Sequence, residues 1–250
     1  NTYKKAIKSK KIDLSEWIDF GDFSSLSTSE FFGASLWQLY KGIESPYKSA
    51  IKILLLESYA QTYPETKLIS KQFKQKLLSN KTEHYHFDPY LAMLEQVTDY
   101  LKDRKELSRL DRLRQCFYLK AKEGKVLYNW RERELQALIK HWGWNAQQIA
   151  LLNDRPNWKM KQAIIQDKML VEQLLQSYRN LINFARKFHI DPSIMTNDTD
   201  ILMRKLYSVF EVLPGKVTLL NPHITPDLSE QNITFIEAQE GSAMKAGWYL

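Results

Sequence analysis

A short junction between two predicted helices is the part of this sequence best suited to bind an anion. The first helix ends at Lys41, and the second begins at Ser45 and carries Lys48 in its first turn. The start of a helix presents free backbone N–H groups, which attract phosphate. A lysine in that turn opposes the helix dipole, which indicates that something other than helix stability favours it. Lys41 and Lys48, with Ser45 as a hydrogen-bond donor, are therefore the candidate phosphate-binding residues.

A structural explanation of the same residues stays open. Lys41 stabilises the dipole of the first helix if it lies in the last turn. Ser45 precedes Pro46, a pair typical of an N-cap residue followed by the first helical position. Under this explanation the lysine has no ligand and the serine only caps the second helix.

Two other polar clusters have ligand-like spacing but lack the context of a metal site. No Gly-Ser turn precedes the segment 198–200 (Asp-Thr-Asp), and helical spacing follows it, so we interpret these carboxylates as helix caps. His84, His86 and Asp88 have the side-chain types that bind zinc. They lie in a polar connection, however, where Asp88 is suited to cap the next helix. We therefore predict no metal site in this chain.

The composition is that of an ordinary globular protein with a basic surface. Hydrophobic residues make up 44% and charged residues 26% of the 250 residues. The net charge of +7 favours anionic partners such as nucleotides, nucleic acid or acidic lipid. Cys116 is the single cysteine, which excludes an intrachain disulfide, fits a reducing compartment and predicts a buried thiol. No apolar run reaches the roughly 20 residues of a membrane span.

Apolar residues recur at helical spacing over most of the chain, which predicts a mainly α, multi-helix bundle. Ser27 and Glu30 have the spacing of a capping box at the first helix. A proline after Tyr63 ends the second helix, and Gly143 ends a later one. The predicted helices lie at about 28–41, 46–62, 67–78, 89–102, 107–122, 128–142, 146–152 and 158–188, with a last one from 197 or 198 to 213.

Three regions follow from this pattern. Residues 1–26 form a basic, turn-rich lead-in, and residues 27–213 form the helical domain. Residues 214–250 begin a β-containing unit with strands at 216–220, 232–236 and 247–250. The chain begins with Asn1 and stops within its last predicted strand, so we expect a piece of a longer protein.

The tryptophans of the helical region are predicted to pack in the core. They lie within or beside the helical segments rather than between basic residues, as a stacking platform for nucleobases requires. This prediction covers Trp37, Trp130, Trp142, Trp144 and Trp158.

The segment Glu30–Lys41 resembles a signature of class I (enterobacterial-type) adenylate cyclases. That signature reads Glu, an aromatic residue, Phe-Gly, two small residues, Leu-Trp, one free position and Leu-Tyr-Lys. Every constrained position matches, with Phe31 where tyrosine is usual. Further runs that resemble the family cover nearly the whole chain, at 45–48, 54–57, 88–90, 116–120, 142–144, 157–159, 176–181, 204–207, 213–219, 226–230 and 247–250.

The resemblance implies a polymerase-β-like nucleotidyltransferase that converts ATP to cyclic AMP and diphosphate in the cytoplasm. A catalytic domain upstream would hold Mg²⁺ with an Asp-x-Asp pair, so the catalytic residues would lie outside this chain. The present segment would pack on that domain and close the nucleotide cleft, with Lys41, Ser45 and Lys48 at the triphosphate. A regulatory half, on which the glucose phosphotransferase system acts, would follow.

Two non-catalytic alternatives remain. A basic helical module could bind nucleic acid, although the scattered lysines and the placement of the aromatic residues disfavour this, and we predict no nucleic-acid partner. The segment could also be a structural linker between the catalytic and regulatory halves, in which case Lys41 has no effect on activity.

Overall fold

The computed structural model describes residues 27–78, 88–123, 129–190, 204–205, 208, 221, 223–232, 236–238 and 247–249, and over these residues the chain is mainly helical, as predicted. The predicted lead-in, the strand at 216–220 and most of the helix at 197–213 lie outside them. The elements are α1 (Thr28–Glu44), α2 (Pro46–Thr62), α3 (Ile69–Leu78), α4 (Pro89–Asp103), α5 (Leu107–Lys122), α6 (Asn129–Trp142), α7 (Ala146–Asn153), a 3₁₀ turn (Arg155–Asn157), α8 (Met160–Lys187), β1 (Ile236–Ala238) and β2 (Gly247–Tyr249).

Local capping signals explain where several helices begin and end. The Ser27 hydroxyl accepts from the Glu30 N–H at 3.2 Å, and the Glu30 carboxylate accepts from the Ser27 N–H at 3.2 Å, which confirms the capping box. The Asp88 carboxylate accepts from the N–H groups of the first turn of α4, at 2.9 Å and 3.1 Å. Gly143 follows α6 with a φ of 70°, a left-handed conformation that suits glycine.

Helix α2 lies at the centre of the fold and packs against α1, α4, α5 and α8. Because it has neighbours on several sides, its apolar side chains are buried around most of its circumference. Cys116 of α5 is buried as predicted, and burial raises the pKa of its thiol to about 12. The core therefore forms around one enclosed helix.

The end of α1 approaches α2 and α8 closely at Gly42. A Cβ atom there would lie 2.8 Å from Ile53 Cδ1 and 3.0 Å from Leu174 Cδ2. A larger residue would push the end of α1 away from its neighbours. Gly42 thus fixes the position of the chain just before the junction with α2.

A buried ion pair joins helices that are distant in sequence. The Arg109 guanidinium of α5 contacts both carboxylate oxygens of Glu57 in α2 at 2.8 Å. The Tyr100 hydroxyl donates to the same carboxylate at 2.7 Å, and the Asn180 amide donates at 2.5 Å. Burial alone would raise the pKa of Glu57, but the hydrogen bonds and charge of Arg109 outweigh it and hold this pKa below its ordinary value.

The C-terminal strands pair with each other. β1 and β2 are antiparallel, with Ile236 opposite Tyr249. β2 covers residues 247–249 of the strand predicted at 247–250. Residues 233–235 of the strand predicted at 232–236 lie outside the described residues, and Ile236 is the first residue of β1.

We predict that Glu57→Gln lowers the free energy of unfolding of the purified chain by about 3 kcal/mol, because the buried Arg109 guanidinium loses its buried counter-ion and keeps only the more exposed Glu106. The folded-state pKa of Glu57 is depressed, so the stability that it contributes is complete above the unfolded-state pKa. That contribution is lost as pH falls through the folded-state pKa. Urea unfolding followed by circular dichroism at several pH values measures both effects.

Glu172→Gln is the matched control, because Glu172 forms an exposed ion pair with Arg112 at 2.7 Å. We expect this control to cost no more than about 1 kcal/mol. Equal losses in the two variants, or an unchanged acid sensitivity in Glu57→Gln, would show that the buried pair does not stabilise the fold.

Candidate phosphate-binding site

The junction between α1 and α2 is shorter than the sequence indicates. Helix α1 continues to Glu44, past the predicted end at Lys41, so Ser45 alone separates the two helices. The Ser45 N–H donates to the Lys41 carbonyl at 2.9 Å, and the Ser49 N–H donates to the Ser45 carbonyl at 3.0 Å. Lys41 therefore lies in the last turn of α1, and Ser45 belongs to the hydrogen-bond pattern of both helices.

Ser45 occupies the N-cap position of α2, but its side chain does not cap the helix. Its hydroxyl makes no hydrogen bond to the first-turn N–H groups, and the residue is exposed. The interpretation of Ser45 as a side-chain cap is therefore wrong. Its backbone φ and ψ of −132° and 70° differ from those of Ser27, whose hydroxyl does cap α1.

Ser45 and Lys48 line one cavity of about 170 Å³ at the start of α2. The end of α5, the 3₁₀ turn and the segment that begins at His223 complete its wall. Most of the charged side chains around it are basic. The lining residues are Ser45, Pro46, Tyr47, Lys48, Lys120, Glu123, Arg155 and His223.

Arg155 holds the wall of this cavity together. Its guanidinium donates to the carbonyl of Ile224 at 2.8 Å and to the carbonyl of His223 at 2.7 Å. A third hydrogen bond of 3.2 Å reaches the Glu123 carboxylate. The guanidinium carbon also lies 4.7 Å from the centroid of the Tyr47 ring, a cation–π distance. One side chain thus joins α2, the end of α5 and the C-terminal segment.

Glu123 is the one acidic residue among those that line the cavity. Its carboxylate accepts from Lys120 at 2.6 Å and from Arg155 at 3.2 Å. Burial alone would raise the pKa of Glu123, but the hydrogen bonds from these two cations outweigh it and lower this pKa below its ordinary value. The Glu123 carboxylate is therefore ionised and contacts both the Lys120 ammonium and the Arg155 guanidinium.

Lys41 does not line the cavity with Lys48. Its ammonium lies 5.1 Å from the centroid of the Trp37 ring, and that tryptophan is 53% exposed. The ring also stacks on Tyr40, with centroids 5.5 Å apart. The structure thus places Ser45 and Lys48 at the cavity, and Lys41 outside it on an exposed aromatic surface.

The prediction of core packing is wrong for Trp37 and correct for Trp158, which is 2% exposed. The apolar stripe of α1 runs through Phe32, Leu36 and Leu39, and Trp37 lies beside that stripe. Trp130, Trp142 and Trp144 are partly buried.

Sequence reasoning missed the other basic residues of the cavity. Lys120, Arg155 and His223 come from parts of the chain that lie far apart in sequence, and no spacing connects them. One weak signal was present, since Lys120 ends one of the runs that resemble the cyclase family.

Of the other polar clusters considered from the sequence, only Asp88 lies among the described residues. Residues 198–200, His84 and His86 lie outside the described residues. Asp88 caps α4 and also accepts from Arg131 at 3.0 Å. Among the residues that the structure describes, no group of three or more metal-ligating side chains comes together. No described helix has the length and apolar character that crossing a membrane requires.

Comparison with known proteins gives a consistent result. Residues 26–221 match the family model described as adenylate cyclase, class-I, second domain. The chain is 50% identical to the adenylate cyclase of Pasteurella multocida (strain Pm70), over 99% of the chain and 30% of that relative. It is 48% identical to the adenylate cyclase of Escherichia coli (strain K12), over 94% of the chain and 28% of that relative.

No solved structure matches the chain. The chain spans about 30% of the length of the curated relatives that it matches. The family match covers the helices and all the residues that line the cavity at the start of α2 except His223. The chain therefore belongs to the class I adenylate cyclase family and corresponds to its second domain.

Proposed function

We propose that this chain works as part of an adenylate cyclase that converts ATP to 3′,5′-cyclic AMP and diphosphate. The observation that carries the proposal is the identity of 48–50% with proteins named adenylate cyclase over nearly the whole chain. The proposed reaction forms a bond between the ribose 3′-oxygen and the α-phosphorus. It breaks the bond from that phosphorus to the oxygen bridging to the β-phosphate, and diphosphate leaves.

The proposed part of this segment in the reaction is electrostatic. Negative charge develops on the leaving diphosphate, and fixed positive groups beside it lower the barrier. Lys48 and Ser45 line a cavity with further basic residues, and Lys41 adds a second positive charge nearby in sequence. These three residues are the proposed contacts to the triphosphate, since lysine binds phosphate as a point charge.

Magnesium is the proposed cofactor, but the described residues do not fit it. Mg²⁺ prefers carboxylate oxygens, and the structure brings no suitable cluster together among the described residues. We therefore assign the metal to carboxylates of the nucleotidyltransferase domain, outside this chain. The present residues act only on the phosphate groups and on the shape of the cleft.

The proposed partners are the other domains of the cyclase. Because the chain spans about 30% of its relatives, most of such an enzyme lies outside it. Exposed apolar side chains supply surface for a domain contact. They include Leu151, Met160, Ile164 and Ile165. We also propose that the glucose phosphotransferase system acts on a regulatory domain of this enzyme. The proposed location of the enzyme is the cytoplasm.

We predict that Lys41→Ala, made in a full-length class I cyclase that contains this chain, lowers turnover far more than stability. Loss of one charge-assisted phosphate contact costs about 1.5–3 kcal/mol, roughly a tenfold to hundredfold loss in rate. Lys41 is exposed, and its contact with Trp37 contributes about 0.5–1 kcal/mol to stability. Steady-state kinetics and a melting curve measure the two effects.

Lys102→Ala is the control, because Lys102 is an exposed lysine in the last turn of α4. It should leave both turnover and melting temperature unchanged. A Lys41→Ala enzyme whose melting temperature falls in step with its activity, or one with full activity, would support the structural linker instead.

We also predict that the purified 250-residue chain makes no cyclic AMP from ATP with Mg²⁺ or Mn²⁺. The reaction needs carboxylates that hold the metal at the α-phosphate, and we assign these to another domain. Chromatographic detection of cyclic AMP tests this. Turnover that Asp198→Asn abolishes would place the catalytic centre inside this chain and refute the assignment.

A further inference from the structure

We propose that the cavity at the start of α2 is a subsite for one phosphoryl group of ATP or diphosphate, and that Glu123 competes with this group for Lys120 and Arg155. The inference rests on the proposed function and adds residues that the sequence did not indicate. It also separates this subsite from Lys41, which lies elsewhere on the surface.

The cavity has room for a phosphoryl group and adjoins a larger cavity. Pockets that enclose an entire small molecule have volumes of about 300–1,000 Å³. The cavity here has about 170 Å³, so it has room for one end of a nucleotide, and it shares Glu123, Arg155 and His223 with an adjoining cavity of about 450 Å³. The base and ribose would lie outside the smaller cavity.

The lining supplies the donors that a phosphoryl group needs. Two lysines, Lys48 and Lys120, face the cavity together with the Arg155 guanidinium. The backbone N–H groups of Tyr47 and Lys48 belong to the first turn of α2, before the helical ladder begins at the Ser49 N–H. Such N–H groups and the positive end of a helix dipole stabilise phosphate.

Glu123 already holds the cations in the arrangement that an anion requires. Its carboxylate bonds Lys120 at 2.6 Å and Arg155 at 3.2 Å, as a phosphate oxygen would. A phosphoryl group carries more charge and more acceptor oxygens than a carboxylate, so it can replace the Glu123 carboxylate on these cations. The side chain is 37% exposed and follows the last residue of α5, so it can rotate into water without burying its charge.

Arg155 is a positioning residue as well as a contact. It holds the carbonyls of His223 and Ile224, so its removal would release the wall of the cavity. A substitution at Arg155 would therefore weaken phosphate binding and disrupt the local structure at the same time, and the two effects could not be separated. Within the part of the chain that the structure describes, Glu123 and Lys48 make no hydrogen bond to the carbonyls of the C-terminal segment, so they are the better residues to change.

The test is isothermal titration of the purified chain with diphosphate and with ATP, at constant ionic strength. We expect Glu123→Gln to bind both anions about tenfold more tightly, because the internal competitor has lost its charge. We expect Lys48→Gln to bind both about tenfold more weakly, because one charge-assisted contact is lost. ATP should displace diphosphate from Glu123→Gln, and adenosine should not.

Glu172→Gln and Lys102→Gln are the matched controls, since they remove the same charges from exposed positions that do not line the cavity. Both should bind like the unchanged chain. If Glu172→Gln gains as much affinity for the anions as Glu123→Gln does, the gain comes from net charge alone and the proposal is overturned. Displacement of diphosphate by adenosine, or no gain in Glu123→Gln, would also overturn it.

Failure of this inference and failure of the proposed function give different results. If the cavity does not bind phosphate, a full-length cyclase that contains the chain still makes cyclic AMP, and Glu123→Gln leaves its KM for ATP unchanged. If the proposed function is wrong, that full-length protein makes no cyclic AMP, whatever the titrations of the chain show.

Discussion

The buried pair of Glu57 and Arg109 constrains the rest of the structure. Two opposite charges in the interior are tolerated only if each remains in hydrogen-bonding contact with the other. The pair links α2 to α5, and Tyr100 and Asn180 add α4 and α8 to the same carboxylate. Side chains from four helices thus meet at the Glu57 carboxylate. A shift of α2 along its axis would break these hydrogen bonds. The start of α2, which forms the cavity, is fixed by that pair near the other end of the helix.

The cavity depends on a second set of long-range contacts, centred on Arg155. The C-terminal segment returns to the helices and is anchored by this guanidinium, by a hydrogen bond from Lys159 to the Ser229 carbonyl at 2.9 Å, and by the Glu230 carboxylate. Glu230 accepts from the Met160 N–H at 2.7 Å, which places a negative charge at the start of α8. The wall of the cavity is therefore built only when residues distant in sequence have folded together.

The sequence predicted what local chemistry decides and missed what long-range packing decides. The capping box at Ser27, the cap at Asp88 and the bounds of most helices follow from neighbours along the chain, and these predictions were confirmed. The hydroxyl of Ser45 failed as a cap because α1 continues to Glu44 and leaves a single residue for the turn. Helical periodicity also cannot say which side of a stripe another helix covers, so Trp37 was assigned to the core although it is exposed.

The separation of Lys41 from Lys48 bears on the kind of anion that the site suits. Lys48 lines the cavity, whereas Lys41 lies on the Trp37 ring, and the buried Gly42 prevents the end of α1 from moving towards α2. A single phosphate in the cavity would leave Lys41 without a part in binding. The proposed contacts at both lysines therefore require a ligand that extends beyond the cavity, as a polyphosphate does and a single phosphate does not.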